Sequence, residues 1–325
     1  MARLLVRYTL LAAAVVLLNF ALPRLLPGDP LDADAPSGLN AAAPLPASAR
    51  AQLRAYYHLD RPLGDQLAAY VVDLSRGDLG WSISRSEPVA RLIAERLPWT
   101  AALVLTATLV AALGGTLLGL AAAWRGGRLD RALLALAIGL AALPEFLVAM
   151  VLLLVFAVGL EWLPLRGGRA VFAAPPTDVL GWTDAAVDTA RHLLLPALTL
   201  SAAATAAFAL LARGAVRGVR DAPYLVAASA KGLSGRRVAL RHALPNALAP
   251  LVTLFGLRLG HVLGGAIVVE RVFAVPGVGL LGYEAIRARD YPVVQAVFLL
   301  GSLGVLAANL GVELAYRRLV PAAEP

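Results

Sequence analysis

The residues of this chain that could do chemistry are few, and the first candidate is a serine. Gly232-Leu-Ser234-Gly235 sets a hydroxyl between glycines, where it could act as a nucleophile with His261 as its base. Lys231, Arg236, Arg237 and Arg241 flank it, however, and a cluster of cations belongs in water rather than in an apolar helix. Metal chemistry has still less to work with. His58, His192, His242 and His261 include no His-Glu-x-x-His pair, and no cysteine supplies a thiolate. A phosphate-binding loop needs Gly-Lys-Ser/Thr, but the only lysine, Lys231, is followed by Gly232. The chain therefore cannot itself be an ATPase.

Three ionisable residues stand inside apolar runs: Glu145, directly after Pro144, and Arg258 and His261, one helical turn apart. A charge at the centre of a membrane helix costs roughly 2.5–3.5 kcal/mol even on insertion scales, so each must face a bundle, a partner or water. They either line a solute path or make structural polar contacts with a partner, and the sequence leaves both readings open.

The elements that position these residues follow from composition. Of 325 residues 59% are hydrophobic and 15% charged, and the mean hydropathy is +0.74. The apolar residues fall in runs of roughly 18 or more, each long enough to cross a bilayer as a helix. Six spans are expected, at Leu4–Leu22, Pro98–Ala123, Ala132–Leu160, His192–Val219, Asn246–Glu270 and Pro292–Tyr316. The first, with Arg3 and Arg7 before its apolar run, has no small-residue cleavage pattern after it and reads as an uncleaved anchor. Residues 23–97 then form an extracytoplasmic segment, with a Pro/Ala/Ser-rich linker over Ala33–Ala49 and amphipathic helical spacing over Gln52–Arg76. Residues 98–325 form a five-helix core with a cytoplasmic loop at about 213–245. Gly264-Gly265 is read as close helix packing.

Net charge is +8, a value that would suit a nucleic-acid binder, but the arginines are distributed for another purpose. Arg3 and Arg7, then Arg125, Arg128 and Arg131, then Arg213, Arg217, Arg220, Lys231, Arg236, Arg237 and Arg241, then Arg317 and Arg318 all fall on one side of a six-span chain. The positive-inside bias makes that side the cytoplasm and puts both termini there. No nucleic acid partner is needed to explain the charge.

The longest basic loop carries a short helix of its own. Asp221-Ala-Pro-Tyr-Leu-Val-Ala-Ala-Ser-Ala-Lys-Gly232 has Pro223 at a first-turn position, Asp221 as its expected cap and Gly232 where the chain must turn left-handed. This resembles the coupling helix of ABC importer permeases. The general loop pattern of that family is matched by Ala227, Ala228, Gly232, Leu244 and Pro245, while Val226 and His242 stand where its glutamate and isoleucine would be. Ala230-Lys-Gly-Leu233 and the stretch from His242 to Pro250 are similar to the dipeptide/oligopeptide/nickel branch, which commonly lacks the glutamate. Further strings agree in order and spacing: Leu26-Pro-Gly-Asp-Pro30, Leu59-Asp-Arg-Pro-Leu63, Arg76-Gly-Asp-Leu-Gly80, Arg96-Leu-Pro-Trp-Thr100, Glu270 through Gly279, and Arg289-Asp-Tyr-Pro292. A basic helix lying on anionic lipid would explain the charges but not this spacing.

The resemblance implies an all-α membrane protein that is not an enzyme. It implies half of a translocation path for peptides or a related small solute, such as a nickel chelate. The other half would be a second homologous permease. Two cytoplasmic ATPases using ATP and Mg, an extracytoplasmic solute-binding protein and the surrounding lipid complete the expected partners, and this chain itself binds no cofactor. The expected ATPase contact comprises Asp221, Pro223, Tyr224, Leu225, Ala227, Ala228, Lys231, Gly232, Arg236, Arg237, Leu244 and Pro245. Tyr224 and Leu225 are its expected anchors, and the three alanines Ala227, Ala228 and Ala230 are its close-approach side. The rival classes are a stand-alone secondary transporter, which would need no ATPases, and a rhomboid-type intramembrane serine protease, which would need Ser234.

Overall fold

Backbone in hydrocarbon can satisfy its N–H and C=O groups only by coiling or by closing a barrel. The computed structural model describes residues 2–25, 61–165, 167–168, 179–264 and 266–319. Among these, every regular element is helical apart from one isolated bridge between Trp81 and Pro88. The linker at 33–49, the string at 26–30 and Gly265 lie outside the described residues.

Helix α1 spans Ala2–Leu25, and α2, Leu63–Ser75, is the described part of the amphipathic stretch. Next come α3, Val89–Arg125, α4, Gly127–Ala142, and α5, Glu145–Leu152, which continues as a π-helical turn over Leu153–Gly159. The long helix α6 covers Val179–Val219, and the short α7 covers Pro223–Ala230. One turn of helix, α8 (Gly235–Val238), passes through a π-helical turn (Ala239–Ala243) into α9, Leu244–Gly264. Two short helices, α10 (Ile267–Val272) and α11 (Val278–Ala288), precede α12, Tyr291–Leu319.

Five helical stretches are long and apolar enough to cross a membrane: Arg3–Ala21, Val89–Arg125, Thr183–Val219, Gly235–Gly260 and Tyr291–Leu314. The third expected span, Ala132–Leu160, is not one continuous helix. It breaks between α4 and α5 with a bend of 101°, so that the pair makes a sixth span only if the two halves are counted together. Pro144 is the cause. Its ring disfavours a helical conformation at the residue before it, and Leu143 is extended at φ −81, ψ 130. The fifth expected span also ends early: α9 stops at Gly264, and Glu270 belongs to the separate helix α10. Conversely, α3 begins nine residues before Pro98, which sits inside it.

The axis of the bundle is the parallel pair α3 and α6, whose contacts advance together from Leu103 beside Leu195 to Ala123 beside Val216. A Cβ on Gly115 would lie 2.5 Å from the Thr205 carbonyl oxygen, and one on Gly119 would overlap that of Ala209. The two backbones thus touch, with Ala111, Ala204, Phe208 and Ala212 buried beside the contact. Helices α9 and α12 also meet closely, at Gly256 against the Val312 side chain and at Gly260, where a Cβ would lie 3.0 Å from Val305 Cα. Small residues at such positions let dispersion replace the hydrophobic drive that lipid cannot supply.

Helix α1 stands outside this core and is held to α12 by polar groups. Asn19 donates to the Gln295 carbonyl (3.1 Å) and to the Tyr70 hydroxyl (3.0 Å), and Gln295 donates back to the Asn19 carbonyl (3.1 Å). Near its other end Arg7 pairs with Glu313.

The glycine contact has a direct test. Gly119→Val forces a side chain between two backbones and is expected to cost about 1–3 kcal/mol, as overpacking does. At Gly114 a Cβ meets nothing within 4 Å, so Gly114→Ala should be neutral or stabilise by about 0.5–1 kcal/mol. Unfolding midpoints of the two purified variants in detergent should therefore move in opposite directions or, at least, only Gly119→Val should fall.

Candidate functional site

The short helix α7 is carried by the arginine-rich end of the bundle. After α6 ends at Val219, Arg220 donates through Nη1 to the Ala123 carbonyl (3.1 Å), and the chain turns through Ala222, which is extended at φ −67, ψ 140. Pro223 occupies the first turn, as its missing N–H allows. The cap differs from expectation: Ala222, not Asp221, is the N-cap, no side chain caps the helix, and Asp221 is exposed. Backbone atoms do the work instead, with the Ala222 carbonyl accepting from Leu225 N (2.9 Å). At the far end Gly232 has φ +78, the left-handed turn expected of it.

Burial divides α7 into two faces. Leu225 and Ala228 are buried with Val238 and Ala243, against Trp124, Val219 and Leu233. Tyr224 (42% exposed), Val226 (61%), Ala227 and Ala230 face away, as do Pro223, Lys231, Gly232, Arg236 and Arg237. Leu225 and Ala228 are thus held inside this chain's own core rather than offered outward. Leu244 is half-buried against Leu120, Ala123 and Val216, and Pro245 is exposed at the second position of α9. The π-helical turn before Pro245 falls where proline leaves a carbonyl without its usual donor.

A carboxylate that the sequence did not single out holds this end together. Asp130, in the first turn of α4, is buried and binds two arginines of α6. Arg213 reaches it with Nε (2.5 Å) and Nη2 (2.9 Å), and Arg217 with Nη2 (2.6 Å). The charge pattern alone puts Arg213 and Arg217 in a loop, yet both lie inside α6, spaced four residues apart on one face.

The ionisable residues of the apolar runs are scattered. Glu145 is the first residue of α5, at the bend, and is exposed. Arg258 is half-buried on α9, and neither has a hydrogen-bond or ion-pair partner among the described residues. His261 lies on the same helix, with its side chain outside the description. Ser234 sits at the start of the helical run that continues to His261. At 1.5 Å per residue the two are on the order of 40 Å apart, so they form no nucleophile and base. Among the described residues no three His, Asp or Glu side chains converge as a metal site would require.

At the opposite end, two buried carboxylates tie distant strings together. Glu270, on α10, accepts from Thr100 Oγ1 (2.7 Å) and from Leu280 N (2.8 Å), and Thr100 accepts from Val278 N (2.8 Å). The carboxylate therefore faces the positive end of α11. A Cβ on Gly277 would overlap the Glu270 carboxyl group, which is why glycine follows Pro276. Asp290 has the same role at the other end of α11. It accepts from Ser82 Oγ (2.5 Å), Ser84 Oγ (2.7 Å), Ser84 N (3.0 Å) and Ile83 N (3.2 Å), while Arg85 pairs with Glu284 beside it. The strings around 76–80, 96–100, 270–279 and 289–292 are thus one construction. From the sequence each has a place but no role, because the partners are up to 208 residues apart.

In Glu270→Gln the amide keeps the shape, but its NH2 group must face a donor. One buried N–H or O–H then loses its acceptor, and a loss of about 1–3 kcal/mol is expected. Thr100→Ser, which keeps the hydroxyl, should retain most of the stability. Thermal unfolding of both purified variants checks this; an unchanged midpoint in Glu270→Gln would remove the carboxylate as the organiser of this end.

With this geometry in view, comparison with known proteins is informative. The family described as "Binding-protein-dependent transport system inner membrane component" matches residues 115–324. The chain is 39% identical over 315 residues to the glutathione transport system permease protein GsiC of Salmonella choleraesuis (strain SC-B67), covering 97% of this chain and 94% of that one. It is 38% identical over 309 residues to GsiC of Escherichia coli (strain K12), covering 95% and 93% respectively. GsiC of Pectobacterium atrosepticum is also 38% identical over 309 residues. The chain belongs to this inner membrane component family, and is a transmembrane permease subunit of a binding-protein-dependent ABC importer.

Proposed function

We propose that the chain forms half of an ATP-driven import path for small peptides, in the bacterial cytoplasmic membrane, with both termini inside. A second homologous permease supplies the other half, two cytoplasmic ATPases hydrolyse ATP with Mg, and an extracytoplasmic binding protein delivers solute. Relatives named for glutathione transport support a peptide-like solute of that size. The arginine-rich end is then cytoplasmic, and the Glu270 and Asp290 constructions are outside.

One observation carries the coupling component: α7 is seated by Leu225 and Ala228 while its opposite face is uncovered. On this reading Tyr224 is the anchor that enters the ATPase, because aromatic side chains are enriched among the residues that carry interface energy, and the exposed Val226 packs beside it. Ala227 and Ala230 permit close approach, and Lys231, Arg236 and Arg237 ring the contact. Asp221, Pro223, Gly232, Leu244 and Pro245 shape the loop. Leu225 and Ala228 pass the stroke inward. Glu145, Arg258 and His261 line the path or meet the sister permease, since unpaired charge at membrane depth needs water or a partner.

Val226→Asp and Ala227→Asp should leave the permease pair assembled but weaken ATPase binding about ten-fold. Ala228→Asp instead puts a charge into this chain's own core and should lower its thermal stability. Gly232→Val must hold a β-branched residue at positive φ, at a cost of at least about 1 kcal/mol, and should uncouple hydrolysis from uptake. Co-purification of the ATPases, with uptake and ATP turnover measured in the same vesicles, checks all four. In the same assay Glu145→Gln and Arg258→Gln should reduce uptake while ATP hydrolysis continues; normal uptake in both would end the path reading.

Topology is tested separately, because the chain has no cysteine of its own. Single cysteines at Ser37 and Thr183 should react with an impermeant thiol reagent in intact cells, and one at Ser234 only after the membrane is opened. Outside labelling of Ser234 would overturn the orientation.

A further inference from the structure

We infer that Asp130 is a positioning residue that links the coupling helix to the broken span, so that α4 is steered from α6. This rests on the coupling reading above and adds the route by which the stroke leaves α7.

Two features of the α3–α4 junction carry the argument. The first is a joint. Gly126 and Gly127 are consecutive and both left-handed, at φ +64 and +65, and an added Cβ would meet nothing within 4 Å of either. With no Cβ at either position, the backbone of this joint keeps the widest range of φ and ψ at the point where α3 meets α4. The second is a clamp. Three residues beyond the joint, Asp130 is gripped by Arg213 and Arg217, which occupy the last turns of α6. Those turns lead through three residues, 220–222, into α7. A displacement of α7 therefore reaches Asp130 through rigid helix and charge-assisted bonds, whereas α3 is separated from α4 by two glycines.

The clamp also explains a choice of residue. An exposed ion pair contributes little, but Asp130 is only 5% exposed and bridges two guanidinium groups, which fixes direction as well as distance. What it directs is the half-span α4, whose other end is the 101° bend carrying Glu145. Sixteen residues of helix put that bend roughly 24 Å from the joint. A small rotation at Gly126–Gly127 is enlarged over that length, where the path would open or close.

The test uses the whole transporter, with sister permease and ATPases, in vesicles with its purified solute-binding protein. Asp130→Asn should keep the ATPases bound and hydrolysing, while uptake per ATP falls on the order of ten-fold. Arg213→Gln should behave alike, and the double variant should be no worse than either single one. Asp130→Glu, which keeps the charge, should restore most of the coupling. Spin labels on cysteines at Leu136 and Gly218, both exposed, read the geometry directly. Their separation should stay the same between nucleotide-free and ATP–vanadate states in the parent protein, and broaden in Asp130→Asn. If uptake and hydrolysis instead fall in proportion, or uptake per ATP is unchanged, Asp130 only stabilises the fold and the inference is wrong. Absence of ATP-dependent uptake in the parent protein would strike at the importer reading itself, so the two failures are distinct.

Discussion

A polar group that finds no partner in hydrocarbon costs several kcal/mol, and this constraint arranges most of the molecule. It makes every span a helix, and it governs the side chains as strictly as the backbone. Asp130, Glu270 and Asp290 are buried carboxylates, and each meets guanidinium, hydroxyl or amide donors at short range. Asn19 and Gln295 exchange hydrogen bonds across two helices for the same reason. Glu145 and Arg258 are set apart by having no such partner among the described residues. A charge left open in this setting points to something outside the chain, whether solute, water or a second subunit.

Packing follows from a second consequence of lipid. Hydrocarbon offers no hydrophobic drive between helices, so contact must come from close approach. Gly115 and Gly119 let α3 and α6 touch backbone to backbone, and those two helices carry both ends of the construction. Their arginine-rich end seats α7; their opposite end meets α10, α11 and the start of α12. The close contact of this pair is the part of the permease on which the other pieces are mounted. Those pieces join through breaks, at Gly126–Gly127, at Leu143–Pro144 and between α9 and α10.

The helix α7 shows how one short element divides into a seated face and an uncovered one. Eight residues give it two turns, and Leu225 and Ala228, three apart, fall on the same side. That side belongs to the chain's own core, and the rest of the helix is exposed. Small residues matter on both faces: Ala228 lets α7 lie close to Val238 and Ala243, and Ala227 and Ala230 keep the outer face low.

How much of this was legible in the sequence depends on the range of the interaction. Most of the spans, the arginine asymmetry, the short helix with Pro223 at its start and the left-handed Gly232 are local, set by a few neighbouring residues, and the sequence alone determined them. The resemblance carried by Ala227, Ala228, Gly232, Leu244 and Pro245 pointed to the permease family for the same reason: its spacing is contiguous. The break at Leu143 was also written locally, in the proline after it, but an apolar run on both sides hid it. What only the tertiary structure decided is which residues meet across the chain. Glu270 found Thr100, Asp290 found Ser82 and Ser84, and Asp130 found Arg213, at separations no periodicity records. It decided as well that Leu225 turns inward and that Asp221 caps nothing. A side chain's exposure depends on what packs beside it, and for α7 those neighbours come from the end of α3 at Trp124, about a hundred residues earlier, from Val219 at the end of α6, and from the turns that follow.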